Sequence, residues 1–501
     1  MVEYFSEAIA LLFTLKGIWF LVLGTGIGLV FGAIPGLGGT TAIALIIPFT
    51  YGMSAEQAVI LVGGIMGSVA FGGSISAILL NTPGIAPNAA TCFDGFPLAQ
   101  QGKAGMAIGA AATASSLGGL IGVVILVAVI PIAKQIVLMF GPPEFFALAV
   151  MGIGAIALST GGKFLRGLIA GGVGMTLAFI GYDAVNGGVR FTGGVEYLWD
   201  GISLVPALTG LFAVAEMIKL SIEGGTVARV TGDVKITRVS DGVWATFKNF
   251  PVVLRGSAIG AFIGAIPGVG GTVASFLSYA SVVQTAKDPE SYGKGNIRGV
   301  IAPESANNAK DGGALIPTLA FGIPGSAEMA IFLGVLILHG LQPGPLMLIE
   351  NSSVIFSLIL ALAVACVLAS LVGLATARWL SLITLVDVHI VAPAVVSVAL
   401  VGVYALHSSW EDVVLALVFG WLGYLMIRYD YPRITLVIAM VLGELAERSF
   451  HQSIIMGDGD WRIFFSRNIS LFLLVITVLI LIAPAVRLLI GQWRAQGETS
   501  P

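Results

Sequence analysis

Polar side chains able to hold an ion crowd into one stretch, Ala302-Pro303-Glu304-Ser305-Ala306-Asn307-Asn308-Ala309-Lys310-Asp311-Gly312-Gly313. At about 100° per residue, Glu304, Asn307, Asn308 and Asp311 share one helical face and Lys310 points elsewhere. Carboxylate and amide oxygens together suit a hard cation such as Na+, and a carboxylate alone carries a proton. These four are the candidate coupling-ion residues. A solvated interfacial helix is the plainer alternative, and the charged flank from Lys287 to Arg298 agrees with it. No metal beyond Na+ is expected, since Cys92 and Cys366 are the only cysteines and the four histidines are scattered.

A second kind of site is built from backbone. Gly32-Ala33-Ile34-Pro35-Gly36-Leu37-Gly38-Gly39-Thr40 returns as Gly264-Ala265-Ile266-Pro267-Gly268-Val269-Gly270-Gly271-Thr272. Proline removes a helix-ladder donor and clustered glycines relax the chain, so each copy should break a helix. In hydrocarbon such a break is tolerated only where the freed groups face protein, a cavity or a ligand. Two breaks in matching places point to the binding site of a secondary transporter. A short helix beginning at either turn aims its positive end at an anion, which nominates Gly36, Gly38, Gly39, Thr40, Gly268, Gly270, Gly271 and Thr272 as substrate-binding residues. Tight packing by small residues is the alternative. Two further tips have the same logic and add Asn81, Thr82, Pro83, Gly84, Pro324, Gly325 and Ser326, with helix capping as the plain reading.

The elements that must position these residues lie in a chain of 501 residues, 57% hydrophobic and 10% charged. That composition, with a mean hydropathy of +0.99, reads as an all-α polytopic membrane protein. A net charge of −3 argues against a nucleic-acid role. Glu3 and Glu7 ahead of the first apolar run make the start a first membrane element and not a cleaved signal peptide. An interfacial helix, a span from about 17 to 32, a short re-entrant piece from 41 to 49 and a span over 55–80 interrupted at Gly72-Gly73 come first. A polar connection over 81–103 leads to spans near 104–131, 144–160, 165–181 and 201–219. The plan then repeats, with spans near 251–266 and 327–340 and later ones near 353–376, 385–405, 413–428, 432–446 and 469–490. The expectation is roughly a dozen crossings plus re-entrant hairpins in two structural repeats. An inverted pair is the commoner arrangement for such carriers. The segmentation is 1–220, a first repeat; 221–249, a hydrophilic cytoplasmic linker; 250–350, the core of the second repeat; and 351–501, the remaining spans, scaffold or partner contact, and tail.

Arg378, Arg428 with Arg433, and Arg487 with Arg494 fall in alternate connections, and Arg229, Lys235, Arg238 and Lys248 crowd the central one, which places these sides in the cytoplasm. Asp94, Lys103, Lys163 and Arg166 read as loop charges, and His389, His407 and Trp410 carry no assigned role. No Ser-His-Asp or Cys-His trio shares a local context, so an enzyme is not expected. A channel would conduct without saturating.

Several of these motifs match a known family. Gly32 to Thr40, Gly73 to Gly84, Asp94-Gly95-Phe96-Pro97, Ala302 to Asn308 and Ala314 to Ser326 resemble the large transmembrane (TctA-type) subunit of the tripartite tricarboxylate transporter family. The resemblance implies a bacterial inner-membrane permease working with a small transmembrane subunit and a periplasmic solute-binding protein. It also implies ion-driven uptake of an organic carboxylate without nucleotide hydrolysis or a cofactor, and no Walker-type run is present. A permease acting alone on another organic anion is the rival. Turns and tips are expected to converge on one mid-membrane cavity, where neutral donors rather than an arginine clamp hold the anion. Because two or three buried negative charges need compensation, Na+ coupling is favoured, with proton coupling through Glu304 as the alternative.

Overall fold

A computed structural model describes residues 2–158, 164–183, 187–223, 236, 238–383 and 386–497, and shows an all-α polytopic membrane protein. The chain opens with α1 (Val2–Leu12), α2 (Leu15–Ala33), α3 (Gly38–Ile46), α4 (Ala55–Leu80), α5 (Ala89–Gln100) and α6 (Ala104–Val137). It continues with α7 (Pro142–Leu158), α8 (Phe164–Ala178), α9 (Leu204–Leu208), a π-helical stretch Thr209–Val214 and α10 (Ala215–Glu223). Then follow α11 (Val239–Lys248), α12 (Phe250–Gly264), α13 (Gly270–Gln284), α14 (Arg298–Phe321), α15 (Ala327–Leu338), α16 (Pro345–Glu350) and α17 (Ser352–Ile383). Last come α18 (Val388–His407), α19 (Trp410–Arg428), α20 (Arg433–Met456), α21 (Ile463–Ser466) and α22 (Asn468–Gly497).

Among the described residues seven helices are long and apolar enough to span a membrane, and shorter apolar helices accompany them, in keeping with the all-α polytopic reading. Helices such as α7, α8, α12 and α15 are apolar but short, and α14 buries charges in its middle. Two sequence readings are corrected. Gly72-Gly73 does not interrupt α4, because the ladder runs through and Gly72 instead lets the backbone of Leu29 approach, to 2.5 Å from where a Cβ would stand. Most of the polar connection over 81–103 is helix, in α5 and the short turn Ala86–Asn88. Within the central linker, α10 and α11 occupy the flanks; Arg229 and Lys235 lie outside the described residues.

Glycines at four-residue spacing give one face of a helix no side chains, so a neighbour packs backbone to backbone. Gly24, Gly28 and Gly32 of α2 meet the carbonyls of Leu61, Ile65 and Val69 in α4. Gly256, Gly260 and Gly264 of α12 meet those of Ala302, Ala306 and Lys310 in α14, in the same register. The turns also match: Gly36 and Gly38 have φ of 89° and 62°, Gly268 and Gly270 of 80° and 75°. Only glycine enters that region without strain. Asn81 and Gly322, both left-handed, end α4 and α14. After each tip a glycine folds back, so that a Cβ on Gly84 would stand 1.9 Å from Gly32 O and one on Gly325 2.7 Å from Gly264 O.

The repeats exchange partners. Helix α3, after the first turn, packs on α15, after the second tip; α13, after the second turn, packs on Ala86–Asn88, after the first tip. Such reciprocity is what a pseudo-twofold axis produces. At the crossing of α4 and α14, Asn308 Nδ2 lies 3.5 Å from Gly67 O while Glu304 meets Ser74, so the two helices run antiparallel.

The chain forms two compact units, Met1–Lys134 with Leu204–Leu425, and Gln135–Ser203 with Met426–Pro501. Both Pro-Gly turns and both tips belong to the first, whereas residues 135–203, read from sequence as part of the first repeat, belong to the second. In the second, α20 packs on α7 and α8, Arg190 bridges Glu447 at 2.6 and 3.0 Å, and Arg467 pairs with buried Glu144 at 2.5 Å.

Candidate functional site

Glu304, two turns into α14, is fully buried. Its Oε2 accepts from Ser74 Oγ at 2.6 Å and Ser115 Oγ at 2.9 Å; Oε1 accepts from Asn88 Nδ2 at 3.2 Å and from Thr91 Oγ1. Four elements supply these donors: α4, the Ala86–Asn88 turn, α5 and α6. Helix α6 reaches the site because Gly118 and Gly122 let it lie against Ser305 and Ala309. All four partners are neutral, so the carboxylate is held by hydrogen bonds alone. Ser74 Oγ also lies 3.0 Å from Ala70 O, which gives its hydrogen a second acceptor.

Burial overturns the interfacial alternative for this helix: Glu304, Asn307, Asn308, Lys310 and Asp311 are all enclosed. Asn308 Nδ2 contacts Gly67 O and, at 3.7 Å, Cys366 Sγ. Among the described residues Asn308 Oδ1, Asn88 Oδ1 and both polar atoms of Asn307 find no hydrogen-bond partner. Buried amide atoms are almost always satisfied, so each unpartnered oxygen is one that a cation or water would stabilise.

Lys310 does not point elsewhere. Its Nζ donates to Asp311 Oδ1 at 2.5 Å and to Glu328 Oε2 at 3.1 Å, because a four-carbon stem swings around the helix toward its neighbour. The resulting triad lies between the two Pro-Gly turns. A Cβ on Gly39 would stand 2.5 Å from Glu328 Oε1, and one on Gly271 would stand 2.5 Å from Lys310 Cδ and Cε and 3.2 Å from Pro87 Cγ. Gly268 N donates to Gly325 O at 3.3 Å, joining the second turn to the second tip. Gly38 lies against Ile85, joining the first pair.

The other nominated residues have local roles of their own. Gly36 is exposed, as is Asn81, whose left-handed backbone ends α4. Thr82 donates to Leu80 O at 3.2 Å, and Pro83 is half-buried. Ser326 is the N-cap of α15, accepting from Met329 N, and Pro324 is buried beside it. Thr40 and Thr272 are half-buried in the first turns of α3 and α13.

Asp94 is corrected from loop charge to buried anchor: it accepts from Gly295 N at 2.8 Å, Asn296 N at 2.7 Å and Tyr279 Oη at 3.0 Å. Lys103 and Arg166 are surface charges, and Lys163 lies outside the described residues. Ser74, Asn88, Thr91, Ser115 and Glu328 escaped sequence reasoning because nothing local distinguishes them; they lie far along the chain from the groups they meet. Internal symmetry could have found Glu328, whose place in the first repeat is taken by Pro87.

Over residues 18–438 the chain matches the family described as Tripartite tricarboxylate transporter TctA family. It is 34% identical over 479 residues to the uncharacterized 52.8 kDa protein in the TAR-I ttuC' 3' region of Agrobacterium vitis, covering 94% of each chain. It is also 32% identical over 232 residues to the uncharacterized protein in the TAR-II ttuC' 3' region of Agrobacterium vitis, covering 46% of this chain and 96% of that one. No solved structure matches the chain.

Proposed function

The chain belongs to the tripartite tricarboxylate transporter TctA family, and from that premise we propose that it carries organic carboxylates, dicarboxylates or tricarboxylates, across the bacterial inner membrane in symport with a cation. A periplasmic solute-binding protein delivers the anion, and a small transmembrane subunit completes the assembly. The spanning windows of α18 and α19 bury only 28% and 39% of their residues, leaving apolar surface for lipid or that subunit. The basic connections lie in the cytoplasm. The repeats are inverted, a reading supported by the antiparallel sense of α4 against α14 and by the reciprocal exchange of partners.

The carrying observation is Glu304. A buried carboxylate surrounded only by neutral donors is expensive to keep ionised, and a cation that arrives with the substrate removes that cost. Asn307, Asn308 and Asp311 follow it along α14, and the unpartnered amide oxygens suit Na+. A proton is the second reading, supported by Ser74, whose hydrogen has a second acceptor in Ala70 O, so that its oxygen could accept from a protonated Glu304. The anion binds at the first turns of α3 and α13, where backbone N–H groups and helix dipoles face it. Alternating access then moves the paired repeats about a site that stays in place.

The test is uptake of labelled citrate, succinate and tartrate into vesicles holding the chain, with and without its partner subunits and with and without a Na+ gradient. Saturable counterflow that an inward Na+ gradient drives uphill is the expected result. Uptake that never saturates, or that no cation gradient drives, would remove the symport reading.

A further inference from the structure

Lys310 is 4% exposed, and a buried ion pair is poor value as a fold stabiliser compared with apolar packing. The internal repeat fills the equivalent position with an apolar side chain. Gly32 meets Val69 where Gly264 meets Lys310. Gly39 meets Val69 and Glu328 where Gly271 meets Lys310 and Pro87. One repeat thus completes its turn with a valine and the other with a lysine; one faces a carboxylate and the other a proline. At the contact between the two Pro-Gly turns the asymmetry is this charged pair.

Position gives the pair its meaning. The Glu328 carboxylate lies on the first turn of α3, while the equivalent turn of α13 has Pro87. The Lys310 stem crosses that second turn and its Nζ reaches Glu328. Asp311, at 2.5 Å, holds the ammonium from the other side.

We infer that Lys310 is the fixed positive charge that receives a carboxylate of the transported anion, and that Glu328 is a built-in carboxylate occupying Lys310 until the anion displaces it. This deepens the permease reading and rests on it. The ligand class is a dicarboxylate or tricarboxylate, with one carboxylate on Lys310 and the rest met by backbone donors and the cotransported cation. Glu328 is the internal competitor, so removing its charge should tighten substrate binding.

The experiment measures half-saturation for labelled citrate and succinate in vesicles with the complete transporter. Glu328→Gln keeps size and an acceptor for Lys310, and half-saturation is expected to fall on the order of tenfold as the competitor is lost. Lys310→Gln is expected to raise it by about tenfold or more, and Lys310→Arg to restore part of that loss. Half-saturation unchanged or raised in Glu328→Gln overturns the inference, as does parental half-saturation in Lys310→Gln. Should Glu328→Gln fail to reach the membrane, Glu328→Asp, whose shorter reach weakens the pairing, must shift the same way by a smaller factor; no shift overturns the inference. Parent vesicles without counterflow of any carboxylate defeat the permease reading and this inference together, whereas parental counterflow with the wrong variant response defeats the inference alone.

Discussion

Replacing Glu304 by Ala and by Gln separates two properties of the buried carboxylate, its charge and its oxygens. Both variants remove the charge, so the desolvation term is common and cancels between them. In Glu304→Gln the carbonyl oxygen still accepts from Thr91 and Asn88, while the amide hydrogens point at Ser74 and Ser115, whose oxygens accept them. In Glu304→Ala four donors lose their acceptor. Ser74 retains Ala70 O at 3.0 Å, and Asn88 Nδ2 retains Ala70 O at 3.2 Å and Ser74 Oγ at 2.9 Å. Thr91 and Ser115 are left without the acceptor they share. The Ser115 hydrogen loses its acceptor in both variants, so one buried donor, Thr91, at about 1–3 kcal/mol places Ala about 1–3 kcal/mol below Gln, before any cavity term. Thermal unfolding of the purified protein in detergent, followed by tryptophan fluorescence in Na+-free buffer, reads this order directly. An Ala variant that melts with Gln would show that Thr91 does not depend on residue 304.

Three other outcomes follow from the packing. Gly84→Ala should lower the yield of folded protein more than Gly325→Ala, since the added methyl meets Gly32 O at 1.9 Å in one case and Gly264 O at 2.7 Å in the other; equal size-exclusion profiles would contradict the ranking. Asp94→Asn keeps an oxygen for Gly295 N and Asn296 N but loses the charge and the Tyr279 acceptor, costing about 1–2 kcal/mol and exposing residues 285–297 to faster proteolysis. Arg467→Gln leaves Glu144 buried with, among the described residues, Gly141 N as its remaining donor; because Arg467 is itself partly exposed, the loss is discounted to about 1–3 kcal/mol, read as a lower melting temperature.

The broad plan was legible because it is written in residues with few alternatives. Proline and adjacent glycines announce a break wherever they occur, and their recurrence at Gly36-Leu37-Gly38 and Gly268-Val269-Gly270 announces a repeat. The face formed by Glu304, Asn307, Asn308 and Asp311 was legible from helical periodicity alone. Its surroundings were not. Ser74, Asn88, Thr91 and Ser115 are ordinary small polar residues that become a carboxylate nest only when α4, α5 and α6 pack on α14. A helical projection places Lys310 by its Cα, whereas its Nζ is free to swing back to Asp311 and on to Glu328. Asp94 looked like a loop charge because its partners arrive from the loop near residue 295. Gly72-Gly73 misled in the other direction: paired glycines break a helix only if nothing packs against them, and here Leu29 does.

The central claim is that Glu304 couples the movement of a cation to that of a carboxylate. The most direct measurement is entry of radiolabelled Na+, and in parallel of protons, into vesicles when an inward gradient of the transported carboxylate is imposed, for the parent and for Glu304→Gln. The parent should drive one of the two cations inward against no gradient of its own, and Glu304→Gln should retain carboxylate binding while losing that coupled entry. Coupled entry in Glu304→Gln equal to the parent would contradict the claim and return Glu304 to a purely structural role.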